Sequence, residues 1–135
     1  MKSSRPLRYN YEFSRVYKRG NVLPGKYVVI HFFKRPKGIR HFMTMISPDI
    51  IRVGFTGNRK IKGAVKRNRA KRLLRESYRS LESELPLGYD LIIMMRYADP
   101  LPGFSEVKED MTRLFGRFIR KVSNEDGSIP DGSIH

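Results

Sequence analysis

The sequence contains no cysteine, so disulfides and thiolate metal sites are both excluded, and a reducing compartment suits it. Its three histidines, His31, His41 and His135, are scattered, and none stands at metal-ligand spacing from another. No metal site and no catalytic residue of the chain's own is expected. Gly54, Gly57 and Gly63 fit neither glycine-rich nucleotide fingerprint. The longest apolar runs, YVVIHFF and LIIMM, are far too short to span a bilayer, and the opening MKSSRPLRYNYEF lacks the apolar core of a signal peptide. A cytoplasmic protein acting on neither a membrane nor a small-molecule substrate is expected. Acidic residues are the last shortage. Residues 1–79 hold 22 Lys or Arg against 3 Asp or Glu, a balance of +19, whereas residues 80–135 hold 6 against 10, a balance of −4.

What is present answers to that shortage. A net charge of +15, concentrated in three fifths of the chain, is the electrostatic footprint of a nucleic-acid binder. An anionic membrane is the weaker reading. The densest cationic stretch carries an apolar seam opposite its arginines, and a protein core accounts for that seam better than a bilayer does.

That stretch runs from Arg59 to Leu85. It has no Pro or Gly between Ala64 and Pro86, so a helix of about six turns is allowed over 64–85. Ala70, Leu74, Tyr78, Leu81 and Leu85 recur at steps of three and four and share one face. Asn68, Arg72, Arg75 and Arg79 fall roughly 100–160° away, as one polar stripe. Between Arg52 and Arg79 there are eleven Lys or Arg and one acid, Glu76. Solvated faces ordinarily mix signs, so the stripe reads as a binding face. Arg67 and Lys71 fall near the seam, where an unpaired buried charge would cost several kcal/mol. Either the helix start overhangs the core, as the exposed basic loop before it favours, or the two cations reach past its edge to a partner.

Around it the chain divides into a basic, extended and mobile N-terminal arm (1–8), a folded domain (9–122) and a polar tail (123–135) expected to be disordered. Asn10 caps a short helix, Tyr11 to Arg19, ended by Gly20. Phe13 and Tyr17 share a face of it and are flanked by Arg15, Lys18 and Arg19. That spacing suits core rings and a stacking platform for single-stranded nucleic acid alike. A turn at Asn21–Gly25 leads to a strand, Tyr27–Lys34, with Tyr27, Val29, His31 and Phe33 on one face and Val28, Ile30 and Phe32 on the other. KRPKG reads as a basic turn. Strands follow at 41–47 and 50–56, the latter with Gly54 marking a bulge or a close backbone approach. Tyr89–Arg96 reads as a strand buried on both faces, and Phe104–Val122 as an amphipathic helix capped by Ser105. Glu106, Glu109 and Asp110 suit its first turn, complementing the dipole. The order helix, three strands, helix, strand, helix is α+β.

The run Arg59–Lys60 … Ala64–Val65–Lys66–Arg67–Asn68–Arg69–Ala70–Lys71–Arg72–Leu73–Leu74–Arg75–Glu76 resembles the RNR motif of the protein subunit of bacterial ribonuclease P. Arg52–Val53–Gly54 before it, Gly88–Tyr89–Asp90 and Arg96 after it, and Leu7 … Phe13 … Val16–Tyr17 … Gly20 extend the resemblance over about residues 5–122. The family's usual Ser–Lys–Lys–x–Gly run here reads Asn58–Arg59–Lys60–Ile61–Lys62, with the glycine displaced to Gly63 and Lys62 as an extra cation.

The resemblance implies a single α+β domain with a left-handed βαβ crossover carrying the basic helix. It also implies a ribonucleoprotein in which a catalytic RNA, with Mg²⁺, removes the 5′ leader of precursor tRNA, the protein itself binding no cofactor. Arg59, Lys60, Lys66, Arg67, Asn68, Arg69, Lys71, Arg72 and Arg75 would contact that RNA, with Lys62 and Arg79 extending the surface. Phe13, Tyr17 and Arg15 would line a leader cleft with a first-strand side chain, His31, Tyr27 or Phe32 according to alignment. Two other classes share parts of the pattern. A general RNA-binding or ribosomal-type protein has the same charge. A stand-alone nuclease would need His31 and His41 in one cleft as acid and base.

Overall fold

The computed structural model describes residues 4–41 and 44–125. A five-stranded sheet forms its middle layer: β1 (Ser4–Pro6), β2 (Asn21–Pro24), β3 (Val28–Lys34), β6 (Ile51–Gly57) and β7 (Tyr89–Met95), in the order β1-β6-β7-β3-β2. The β1–β6 and β6–β7 pairs are parallel and the β7–β3 and β3–β2 pairs antiparallel. Helix α1 (Asn10–Arg19) lies on one face. Helices α2 (Ala64–Arg79) and α3 (Phe104–Glu125) lie on the other, and α2 is the connection between the adjacent parallel strands β6 and β7. A two-stranded hairpin, β4 (Arg40–His41) with β5 (Thr44–Met45), stands apart from the sheet.

Strand alternation sorts the side chains into these layers. Val28, Ile30 and Phe32 of β3, Ile51 and Val53 of β6, and Leu91, Ile93 and Met95 of β7 join the main core under α2 and α3. The opposite face of β7 is also covered, since Ile92 packs with Leu7, Val16, Phe13 and Phe33 beneath α1. The strand is therefore buried on both faces, which its unbroken apolar run anticipates. The seam of α2 is buried as its spacing requires, with Ala70, Leu74 and Tyr78 fully enclosed.

Several local expectations need correction. Residues 4–6 are not a free arm. They form the edge strand beside β6, and Ser4 is buried with its hydroxyl 2.7 Å from the Tyr78 hydroxyl and donating to Glu82 Oε2 at 2.6 Å. Asn21–Pro24 is a strand rather than a turn, because antiparallel pairing from Asn21↔Phe32 to Pro24↔Val29 satisfies its backbone. The basic helix stops at Arg79, where a short 3-10 segment, Glu82–Glu84, carries Leu81 and Leu85 into the core. Arg35, in the expected basic turn, is buried. Tyr9 occupies the cap position of α1, so Asn10 is already helical. Gly103 precedes α3 and receives the Glu106 carboxylate on its N–H at 2.9 Å, so Ser105 lies inside the first turn. Asp110 lies beyond that turn and is buried. It accepts the backbone N–H groups of Lys26 (3.2 Å), Tyr27 (2.8 Å) and Val28 (2.9 Å), fastening the β2–β3 connection to α3. Of the polar tail, residues 123–125 continue α3, and 126–135 lie outside the described residues.

Candidate nucleic-acid interface

The outer face of α2 follows from its seam. With Ala70, Leu74 and Tyr78 fixed inward, the helical step turns Asn68, Arg69, Arg72, Arg75 and Arg79 outward, and all five are exposed. Among the described residues none of these arginines forms an ion pair. Arg75 stacks its guanidinium 5.6 Å from the Phe55 ring centre, a contact that leaves its charge uncompensated. Lys60, Lys62 and Lys66 are likewise exposed, and Lys71 is half-buried.

Arg67 behaves differently. Its Nε donates to the Ile61 carbonyl at 2.9 Å and its Nη2 to the Arg59 carbonyl at 3.3 Å. The cation that sequence places near the seam thus folds back onto the entering loop and fixes it. Asn58 helps, its side-chain oxygen accepting the Lys60 N–H at 2.8 Å. The displaced glycine has its reason here too: Gly63 sits at the start of α2 with φ of 89°, a left-handed conformation that side chains resist.

The α1 face holds the second set. In register across the sheet run Gly54, Ile92, His31 and Val22. Above this row α1 presents Phe13, Val16 and Tyr17. Gly54 has no side chain because Phe13 occupies its place: a Cβ there would lie 2.5 Å from Phe13 Cζ. One turn on, the Tyr17 ring meets His31 edge-on at 4.8 Å between centres and is 46% exposed. Burial pushes the Tyr17 hydroxyl up and the His31 imidazole down from their ordinary values. Phe13, Tyr17 and His31 therefore stand together. Tyr27 does not join them. It precedes β3 in a bend, packs against the main core and donates its hydroxyl to Glu106 Oε2 at 3.2 Å on the α3 side. Phe32 is buried in the main core against Phe118. His41 lies in the separate hairpin, so the two histidines are not on neighbouring strands.

Beneath α1 lies an ionic cluster that the sequence does not announce. Asp90 is fully buried and grips Arg52 from both oxygens, at 2.9 Å to Nε and 2.7 Å to Nη2. Arg35 Nη1 donates to the same carboxylate at 2.8 Å, Arg15 Nη2 lies 3.6 Å away, and Arg52 also pairs with Glu12 of α1. Burial pushes the Arg35 guanidinium down, more than Asp90 holds it up. At Arg52 burial acts in the same sense, but Asp90 and Glu12 together outweigh it. Arg35 further donates to the carbonyls of Tyr89, Ser47 and Ile50 at 2.9, 2.9 and 2.7 Å. Arg15 lies over the Phe33 ring at 5.5 Å. Its placement is thus at the base of α1, between an aromatic face and a buried carboxylate, rather than among exposed cations. The available signal was a lone Asp inside an apolar strand, which demands a partner. Which arginines answer it is fixed by register, since Asp90 pairs with Arg52 on β6 and Phe33 on β3.

The family model described as Ribonuclease P matches residues 1–119. The chain belongs to the ribonuclease P protein family. Among its relatives, the ribonuclease P protein component of Clostridium acetobutylicum is 33% identical over 117 residues, 87% of this chain and 90% of the relative. That of Natranaerobius thermophilus is 35% identical over 108 residues, 80% of this chain and 84% of the relative. Among solved structures, the RNase P protein from Thermotoga maritima superposes with a TM-score of 0.65 at 27% identity, covering 84% of this chain and 96% of that one. The ribonuclease P family thus accounts for the α+β domain and for the five-stranded sheet. Among the described residues no helix is long and apolar enough to cross a membrane.

Proposed function

We propose that this chain is the protein component of a cytoplasmic ribonuclease P ribonucleoprotein, holding the catalytic RNA with the outer face of α2 and the 5′ leader of precursor tRNA with the α1 face. The observation that carries the reading is the exposed row Asn68, Arg69, Arg72, Arg75 and Arg79, whose cations have no carboxylate partner among the described residues. Folding an RNA into a catalytic core crowds its phosphates, and fixed guanidiniums offset that repulsion while releasing counter-ions. Arginine suits the task because its planar fork grips phosphate at two points. Lys60, Lys62, Lys66 and Lys71 extend the same field, while Arg67 and the Arg59 carbonyl it binds shape the loop that presents them.

On the α1 face, Tyr17 and His31 supply a half-exposed aromatic pair on which bases of any sequence can stack, which suits one site serving many precursors. Mg²⁺ belongs with the RNA in this reading. The α2 face is a field of cations that fits phosphate rather than a divalent metal. The phosphodiester bond would be cut by the RNA, and the chain's residues bind and orient.

Reconstitution tests the reading. A precursor tRNA and the ribonuclease P RNA should be processed at low Mg²⁺ only when this chain is added. Arg69→Ala with Arg72→Ala should weaken RNA binding and lower the salt slope by about one unit per lost phosphate contact, with melting unchanged. Affinity that stays the same across the salt titration would overturn it.

A further inference from the structure

A groove of about 370 Å³ lies where the loop entering α2 faces the segment 97–101 after β7. Its size falls within the range of about 300–1,000 Å³ that small ligands occupy, too small for a duplex. One wall is cationic, with Lys60, Lys62, Lys66 and Arg69. The other carries Tyr97, which is 51% exposed, and Leu101, which rests against the main core. Asp99 is the one acid on the lining, and among the described residues none of the four cations is paired with it or with any other carboxylate.

We propose that this groove receives one unstacked nucleotide of the RNA bound by α2, its base against Tyr97 and Leu101 and its phosphates on Lys60, Lys66 and Arg69. The inference rests on the RNA reading of α2 and adds to it a defined subsite. The walls select the ligand: a cationic side asks for anions, and a flat ring backed by an aliphatic floor asks for a planar apolar group. A nucleotide offers both. The groove is also continuous with the arginine row, since Arg69 lines it and also lines the shallow depression formed with Val65, Asn68 and Arg72. A strand lying along that row can therefore turn one base inward without leaving the cationic surface. The loop backbone that carries Lys60 and leads to Lys62 is held in advance, by Arg67 on the Ile61 and Arg59 carbonyls and by Asn58 on the Lys60 N–H. The cost of binding therefore falls on the exposed side chains rather than on the loop. Stacking on Tyr97 would replace the stacking the base gives up inside the RNA.

Binding of the full chain to ribonuclease P RNA is measured across a salt series for the wild type, Tyr97→Phe, Tyr97→Ala and Arg72→Ala, with melting followed for each. Tyr97→Ala should weaken binding by about tenfold at an unchanged salt slope, and Tyr97→Phe should bind as the wild type. Chemical probing of the RNA should show one nucleotide whose protection is lost with Tyr97→Ala alone. If Tyr97→Ala binds as the wild type while Arg72→Ala binds more weakly, the groove holds no base and the α2 reading stands. If neither variant loses affinity, both readings fall. A parallel titration with AMP separates a free nucleotide from one carried by the RNA. Saturable AMP binding that Tyr97→Ala abolishes and RNA leaves unaffected would overturn the RNA-borne occupant.

Discussion

Asp90→Asn is the sharpest test of how α1 is held to the sheet. The change is nearly isosteric, yet it leaves Arg52, Arg35 and Arg15 around a neutral amide, with Glu12 the remaining carboxylate of the cluster. An amide NH₂ placed at either Asp90 oxygen would face an N–H donor, because Oδ1 accepts from Arg52 Nε and Arg35 Nη1 and Oδ2 accepts from Arg52 Nη2. Removing one partner of a buried ion pair costs about 3–5 kcal/mol, since the abandoned charges stay desolvated. For a domain of this size each kcal/mol moves the melting temperature by about 4 °C, so a fall of about 12–20 °C is expected. The assay is urea and thermal unfolding of the isolated chain.

A second substitution separates this account from a generic packing defect. Arg15 makes an ion pair with Asp90 but no hydrogen bond to it, and Arg52 and Arg35 keep that carboxylate paired without it. Arg15→Met should therefore destabilise the wild type by much less than the roughly 3–5 kcal/mol that loss of a sole buried partner costs. In the Asp90→Asn background the same change removes a cation whose counter-charge has gone, and it should stabilise. A loss of under about 1 kcal/mol for Asp90→Asn, or an Arg15→Met effect of the same sign in both backgrounds, would refute the electrostatic argument.

Three further outcomes are expected. Gly54→Ala places a methyl 2.5 Å from Phe13 Cζ and should cost about 1–3 kcal/mol; combined with Phe13→Ala most of that loss should vanish, and an additive double mutant would contradict the contact. Ser4→Ala strips a buried hydroxyl that serves both Tyr78 and Glu82 and should cost about 1–3 kcal/mol in urea unfolding, whereas a free N-terminal arm would show no change. Burial holds His31 below its usual value of 6.5, so the unfolded chain binds its proton more readily; stability from this group is full above that value and falls as pH drops through the folded value. The wild type should therefore lose more melting temperature on acidification from about pH 7.5 to about pH 5 than His31→Gln does, and equal losses would sink the assignment.

Periodicity carried the long elements. The seam of α2 and the alternation of β3 each reflect a face that must be buried, and burial enforces the period that the sequence displays. Gly54 was legible as an interruption, and its cause, the Phe13 ring, lies 41 positions away in the chain. The misreadings share one origin. Ser4–Pro6 and Asn21–Pro24 are short edge strands whose pairing is supplied by β6 and β3, so little in their own composition marks them. Arg15, Arg35 and Arg52 looked like three more cations in a basic chain. Only the register that sets Asp90 beside Arg52 separates them from the arginines of α2. Tyr27 was misplaced by extending the strand's alternation one residue past its start, into a bend that Asp110 holds.

The same register explains why the cationic face can persist without counter-charges. Residues 1–79 contain only Glu12, Asp49 and Glu76 as acids. Glu12 is drawn under α1 by Arg52, and three acids from the second half are also turned inward, Glu82 to the Ser4 hydroxyl, Asp90 to the arginines and Asp110 to backbone N–H groups. Asp90, held by three guanidinium donors beneath α1, lies across the sheet from α2 and cannot also screen it. The fold thus consumes acids in its interior, and the repulsion left on α2 weakens the compact state when the chain is alone. A polyanion that binds only the folded chain removes that repulsion and adds its own binding free energy to stability. Under the proposed function, the chain's surplus charge is half of an interaction whose other half is the RNA.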